Sequence, residues 1–255
     1  MENSSTSPPS PAWPTRWPQD AFRPGGIAAV LGLILAALAA GVILAVIVAQ
    51  FVAPSFAATR RIDGIWIVVL SALAEIFVPV AVLIALPRAA RLSLRELGFR
   101  RPDLRAVGIA LAGVICGVIL VTLGASAVSA LTHTGDHSQQ TERLFLALRA
   151  PWQIGIFAFF AAILAPVVEE SVFRLFVFNV GLRYGGFWTG AILSSILFGL
   201  AHGDPYNAFP LALVGVVLCG VYYLTRNAYA SMIAHGAFNL LTLVALEFFP
   251  KVAGG

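Results

Sequence analysis

From Gly26 to Val52 the sequence runs for 27 residues without an ionisable side chain. A helix rising 1.5 Å per residue needs about 20 apolar residues to cross a bilayer, so this run is a complete span. It is too long for the apolar core of a signal peptide, and no small-residue cleavage site stands out after it. It is read as a retained first span. Hydrophobic residues make up 59% of the chain and charged residues 11%, against about 25% charged in a soluble domain. Such proportions exclude a soluble globular domain. The net charge of +4 then reflects loop arginines that orient a membrane protein, and nucleic-acid binding is discounted.

Seven apolar segments follow one another, at 26–52, 64–86, 104–131, 152–179, 187–201, 208–224 and 229–249. They predict an all-α, polytopic transmembrane helix bundle of about seven spans. An eighth follows if a broken or interfacial segment also enters the membrane. Residues 1–24 are rich in Pro and Ser, a composition that resists packing, and are expected to form a disordered tail. Residues 25–255 are expected to form a single membrane-embedded domain with the lipid bilayer as its surroundings. No internal repeat is visible. In the third segment Gly113, Gly117 and Gly124 share one face, which predicts close helix approach. Cys116 and Cys219 lie inside apolar runs and are expected to pack, with neither a disulfide nor a thiolate metal site.

Between the second and third segments, PRAARLSLRELGFRRPDLR carries six arginines, Arg88 to Arg105. Short basic loops stay cytoplasmic, which places the protein in the cell's inner or plasma membrane with its N-terminus on the cytoplasmic side and, with seven spans, its C-terminus outside. Leu92, Leu94, Leu97 and Phe99 among those charges suit an interfacial helix.

The chemistry concentrates in residues 157–179, FAFFAAILAPVVEESVFRLFVFN, where Glu169, Glu170 and Arg174 interrupt an otherwise apolar span. Each charge near a bilayer centre costs roughly 2.5–3.5 kcal/mol. A packed hydrophobic helix has no use for three of them, so they mark a site. Three pairs share the i,i+4 spacing: Glu170 with Arg174, Phe198 with His202, and His235 with Asn239. Each pair presents its members on one helix face, and three such helices can converge on one cavity. Glu169 stands about 100° from Glu170 around the helix, so the two acids need not do the same work. Pro166 removes a backbone donor three residues before Glu169 and is expected to kink the span.

The series E-E-x-x-x-R, F-x-x-x-H and H-x-x-x-N, over residues 152–249, resembles the CAAX protease and bacteriocin-processing (CPBP, Abi) family of intramembrane endopeptidases. The resemblance implies hydrolysis of a peptide bond in a membrane-associated peptide or protein. It further implies that Glu169, with His202, activates a water, that His235 and Asn239 stabilise the oxyanion, and that Glu170 and Arg174 order the first carboxylate. No cofactor is needed for that reaction. The rival is a zinc site of His202, His235 and Glu169 with an open position for water, although no H-E-x-x-H motif is present. Two other function classes compete: a non-catalytic regulator or immunity scaffold that keeps the fold, and an ion-coupled transporter, which lacks evident inverted halves. Phe198 is expected to pack. Glu75, alone in the second segment, is an unexplained acid that either reaches the cavity or pairs with an arginine. His133, Asp136 and His137 fall in a hydrophilic loop and are expected to be solvated. With seven straight spans, His202 and His235 are expected at depths about 15 Å apart, unless Gly203-Asp204-Pro205 continues inside the protein as broken helix.

Overall fold

The computed structural model describes residues 22–52, 64–133 and 140–248. Most of the expected tail, with Trp13 and Trp17, lies outside them, as do Asp136 and His137. The described residues are helical and contain no strand: α1 Pro24–Val52, α2 Gly64–Glu75, α3 Phe77–Ala90, α4 Leu104–Thr132 and α5 Gln140–Ala147 come first. A continuous run, Pro151–Ala201, follows, and then α9 Pro205–Thr225 and α10 Ala228–Phe248. Within the run, α6 Pro151–Phe159, a π segment Phe160–Leu164, α7 Ala165–Glu170, a second π segment Ser171–Phe178 and α8 Asn179–Ala201 succeed one another. By length and apolar composition, 6 runs could cross a membrane. Outward residues such as Leu35, Ile43, Ile115 and Leu123 are exposed, as faces bathed in lipid would be. The chain is a multi-pass membrane protein.

The sequence divides the fourth run in two, at 152–179 and 187–201, and the structure explains how one helical run serves as both. Gly186 adopts φ 80°, ψ −174°, a conformation open to glycine and strained for other residues. The chain turns back there. Ser194 Oγ donates to the Phe173 carbonyl at 2.7 Å, two residues that a straight helix would hold about 30 Å apart. A Cβ on Gly181 would strike the Gly190 backbone, and a Cβ on Gly190 would strike the Phe178 carbonyl oxygen. The arm after Gly186 thus lies against the helix that carries the acids.

Elsewhere breaks and contacts follow from single residues. Pro79 has no N–H for the Glu75 carbonyl, and the second span breaks at Ile76, leaving Glu75 as the last residue of α2. The glycine face of α4 does what its spacing predicts: Gly113 meets Val221, and Gly124 meets Leu213 and Pro210. Cys116 and Cys219 are free thiols, the second buried in the core.

The basic loop does not form the expected interfacial helix. Ser93 and Glu96 cap one turn reciprocally, Ser93 N–H donating to Glu96 Oε2 at 2.8 Å, and Gly98 at φ 104° ends it. Leu92 and Leu97 turn inward and are buried. The Tyr222 hydroxyl donates to the Leu97 carbonyl at 2.9 Å and accepts from Asn179 Nδ2 at 3.1 Å, tying this loop to α9 and α8. Phe22, within the stretch read as tail, is fully buried, and its N–H donates to the Ala89 carbonyl at 3.2 Å.

Candidate active site

Pro166 is where the local chemistry starts. The preceding segment is in π register, with the Ala165 N–H donating to the Phe160 carbonyl five residues back. The next donor in that register would be residue 166, and proline has none. The Ala161 carbonyl is therefore released from the helix. Asn239 Nδ2 takes it, at 2.8 Å. One turn earlier on α10, Gly236 lies so close that a Cβ would collide with the Ala162 carbonyl oxygen. The amide and the missing side chain together clamp α10 onto the bulged helix. A π bulge often marks a functional site, and a second one follows immediately after Glu170.

This clamp delivers His235 between the two acids. Its Nδ1 stands 2.9 Å from Glu170 Oε1 and its Nε2 stands 3.7 Å from Glu169 Oε2. A carboxylate only accepts, so Nδ1 presents a proton to Glu170. Glu170 Oε1 also meets Arg174 Nη1 at 3.2 Å. Glu170, Arg174 and His235 are buried, whereas Glu169 keeps 22% of its side chain exposed. The paired acids thus differ as their angular separation predicts: one is locked in a buried pair, and its neighbour faces open space.

Phe198 is the pillar of the site. The Arg174 guanidinium lies over its ring, Cζ 4.5 Å from the centroid, a cation–π contact in a desolvated setting. The rings of Phe173, His202 and His235 all pack on it, with centroids 5.4, 4.8 and 5.6 Å away. The two histidines therefore share one aromatic ring, and the wide depth offset expected from straight spans is absent. Gly203-Asp204-Pro205 is not a buried broken helix. Gly203 takes φ 70°, and Asp204 Oδ1 accepts from Tyr206 N–H at 2.9 Å as the N-cap of α9. His202 is the exposed C-cap of α8, its Nδ1 2.8 Å from the Phe198 carbonyl, which leaves Nε2 as the acceptor.

The structure thus gathers Glu169, Glu170, Arg174 and His235 into one contact group. Asn239 is held by Ala161, and His202 joins through Phe198. The alternative zinc set of His202, His235 and Glu169 does not assemble: no three His, Cys, Asp or Glu side chains among the described residues stand close enough to share an ion. Buried polar atoms without a hydrogen-bond partner cluster here too, among them Glu169 Oε2, Glu170 Oε2 and the Arg174 nitrogens. Periodicity gave no sign of the π bulges or of the Ala161 bracket, although Pro166 was the available signal.

Gly236→Ala is expected to push α10 off the bulge. Overpacking of this kind costs about 1–3 kcal/mol, and a displacement near 1 Å costs on the order of 10²-fold in rate. Melting temperature and turnover measured on one preparation check both.

Residues 151–241 match the family described as type II CAAX prenyl endopeptidase, Rce1-like. In this region the chain is similar to the Rce1-like family. The membrane-embedded CAAX protease MroQ of Staphylococcus aureus (strain USA300) is 30% identical over 148 residues, covering 55% of this chain and 58% of that protein. YdiL of Bacillus subtilis (strain 168) is 20% identical over 143 residues, 54% of this chain and 57% of its own length. The chain thus spans less than two thirds of either of these relatives. No solved structure matches it. All the Rce1-like motif residues, Glu169 to Asn239, fall within the matched stretch.

Proposed function

We propose that the Rce1-like region hydrolyses a peptide bond in a membrane-associated peptide or protein, using a water activated by Glu169. The observation that carries this reading is the inequality of the two acids. Glu170 is buried and engaged with Arg174 and His235, while Glu169 is part-exposed with Oε2 directed at His235 Nε2. Only the second can meet both water and substrate.

In this mechanism the part-exposed Glu169 carboxylate removes a proton from water as the water oxygen attacks the scissile carbonyl carbon. The carbonyl oxygen becomes an oxyanion, and the donors that stabilise it are the second Asn239 Nδ2 hydrogen, the first being given to Ala161, and the Nε2–H of His235 in its doubly protonated form, a form that the two flanking carboxylates favour. Glu169 then passes its proton to the leaving nitrogen as the C–N bond breaks, releasing a carboxyl and an amine terminus. Glu170 and Arg174 hold the His235 ring in one orientation. His202 completes the site from the end of α8, where it packs on Phe198.

The test is a comparison of membrane peptides from cells carrying wild type or Glu169→Ala. A cleavage product found only with wild type is expected, and identical peptide sets would sink the proposal. For the purified enzyme, activity is expected to survive chelation within twofold; loss by chelator and recovery with zinc would replace this mechanism with a metal-assisted one. We also place the 88–105 loop in the cytoplasm, which a cysteine at position 95, labelled only from the inside, would check.

A further inference from the structure

Glu75 ends α2 beside a cavity of about 200 Å³ between α2, α5 and the first half of the long helix. Leu144, Phe157 and Leu164 give it apolar walls, and Ser71, Thr141 and Glu75 supply its polar groups. Ala161 and Ala165 line it as well. Ala165 stands one turn before Glu169 on the same helix face, and Ala161 holds Asn239, so the cavity adjoins the reacting acid. The charged group that acts on Glu75 is Glu169, of the same sign. Arg174 serves Glu170 on the other side, and Glu75 has no ion pair among the described residues.

Glu75 is exposed at the polar side of the cavity, where its carboxylate can meet the charged head of a group whose apolar stem lies along the walls, and the like charge of Glu169 favours such a cation. The room suits one long side chain, since an apolar cavity of about 150 Å³ already holds a benzene molecule. Lysine and arginine combine an apolar stem with a charged head, and the two hydroxyls can accept the hydrogens that Glu75 does not. We propose that this cavity is a specificity pocket for a lysine or arginine side chain flanking the scissile bond, with Glu75 as its counter-ion. The assignment rests on the protease reading above.

The test separates the two. Full-length protein in nanodiscs is titrated with n-hexylammonium and with 1-hexanol, empty nanodiscs providing the background, and binding is followed by saturation-transfer NMR. The ammonium probe is expected to bind about tenfold tighter than the alcohol. Glu75→Gln should bring that ratio near one, Glu75→Asp should keep most of it, and Ala72→Trp, which fills the cavity, should weaken both probes. Equal binding of the two probes to wild type overturns the pocket, whether or not the protein cleaves peptides. In parallel, peptides carrying lysine or norleucine at each position around the cleaved bond are compared. A preference in kcat/KM for lysine at one position, about tenfold and lost in Glu75→Gln, supports the pocket. A selective ammonium site in a protein that cleaves nothing leaves the pocket standing and removes the protease.

Discussion

Glu169→Gln is expected to slow peptide hydrolysis by about 10²–10⁴-fold while leaving the melting temperature in detergent nearly unchanged. Glutamine keeps the shape and a hydrogen-bonding oxygen but has no lone proton acceptor of comparable basicity. The side chain is part-exposed, and its near polar neighbour, His235 Nε2, stands at 3.7 Å, beyond a hydrogen bond, so little structure depends on its charge. Glu170→Gln should behave differently. It takes the charge from a buried group that both Arg174 and His235 contact, so activity and stability should fall together. Single-turnover assays and thermal melts on both variants decide the matter. Full activity in Glu169→Gln with loss in Glu170→Gln would move the base to the buried acid.

Arg174→Met is expected to destabilise the bundle by about 3–5 kcal/mol, the range for breaking one side of a buried ion pair. Arg174 is wholly buried and lies over Phe198, so methionine replaces the packing volume but not the charge. Glu170 is then left with His235 and the Ser231 hydroxyl. The double variant Glu170→Gln with Arg174→Met should recover much of the loss, because the uncompensated carboxylate is gone. An additive double variant would mean that the two side chains are energetically independent despite their 3.2 Å contact. Neither single variant should show strong salt dependence, since the pair is shielded from solvent ions.

The members of the candidate site were legible in the sequence because they are charged or polar residues at i,i+4 in apolar helices. Glu170 with Arg174 and His235 with Asn239 needed only helical periodicity to be placed on common faces. The division between the fourth and fifth segments was equally legible, and Gly186 shows its cause. Depth was not legible. The offset expected between His202 and His235 assumed straight, level spans, whereas the α8 arm crosses α9 so closely that a Cβ on Gly199 would strike the Ala208 carbonyl. Crossing geometry depends on which side chains are missing on two helices at once, and no single-helix pattern reports that. The basic loop misled for a related reason: apolar residues among charges suit a membrane surface, but here Leu92 and Leu97 are buried against the bundle. Glu75 remained unexplained until the break before Pro79 and the cavity beside Glu169 could be seen together.

The release of one carbonyl by Pro166 reaches beyond this molecule. Anyone grafting the two acids, the arginine and the imidazole onto a regular designed helix would reproduce the letters and lose the alignment. An uninterrupted i,i+4 ladder offers Asn239 nothing to grasp. The portable unit is the faulted helix together with its proline and the asparagine that repairs it.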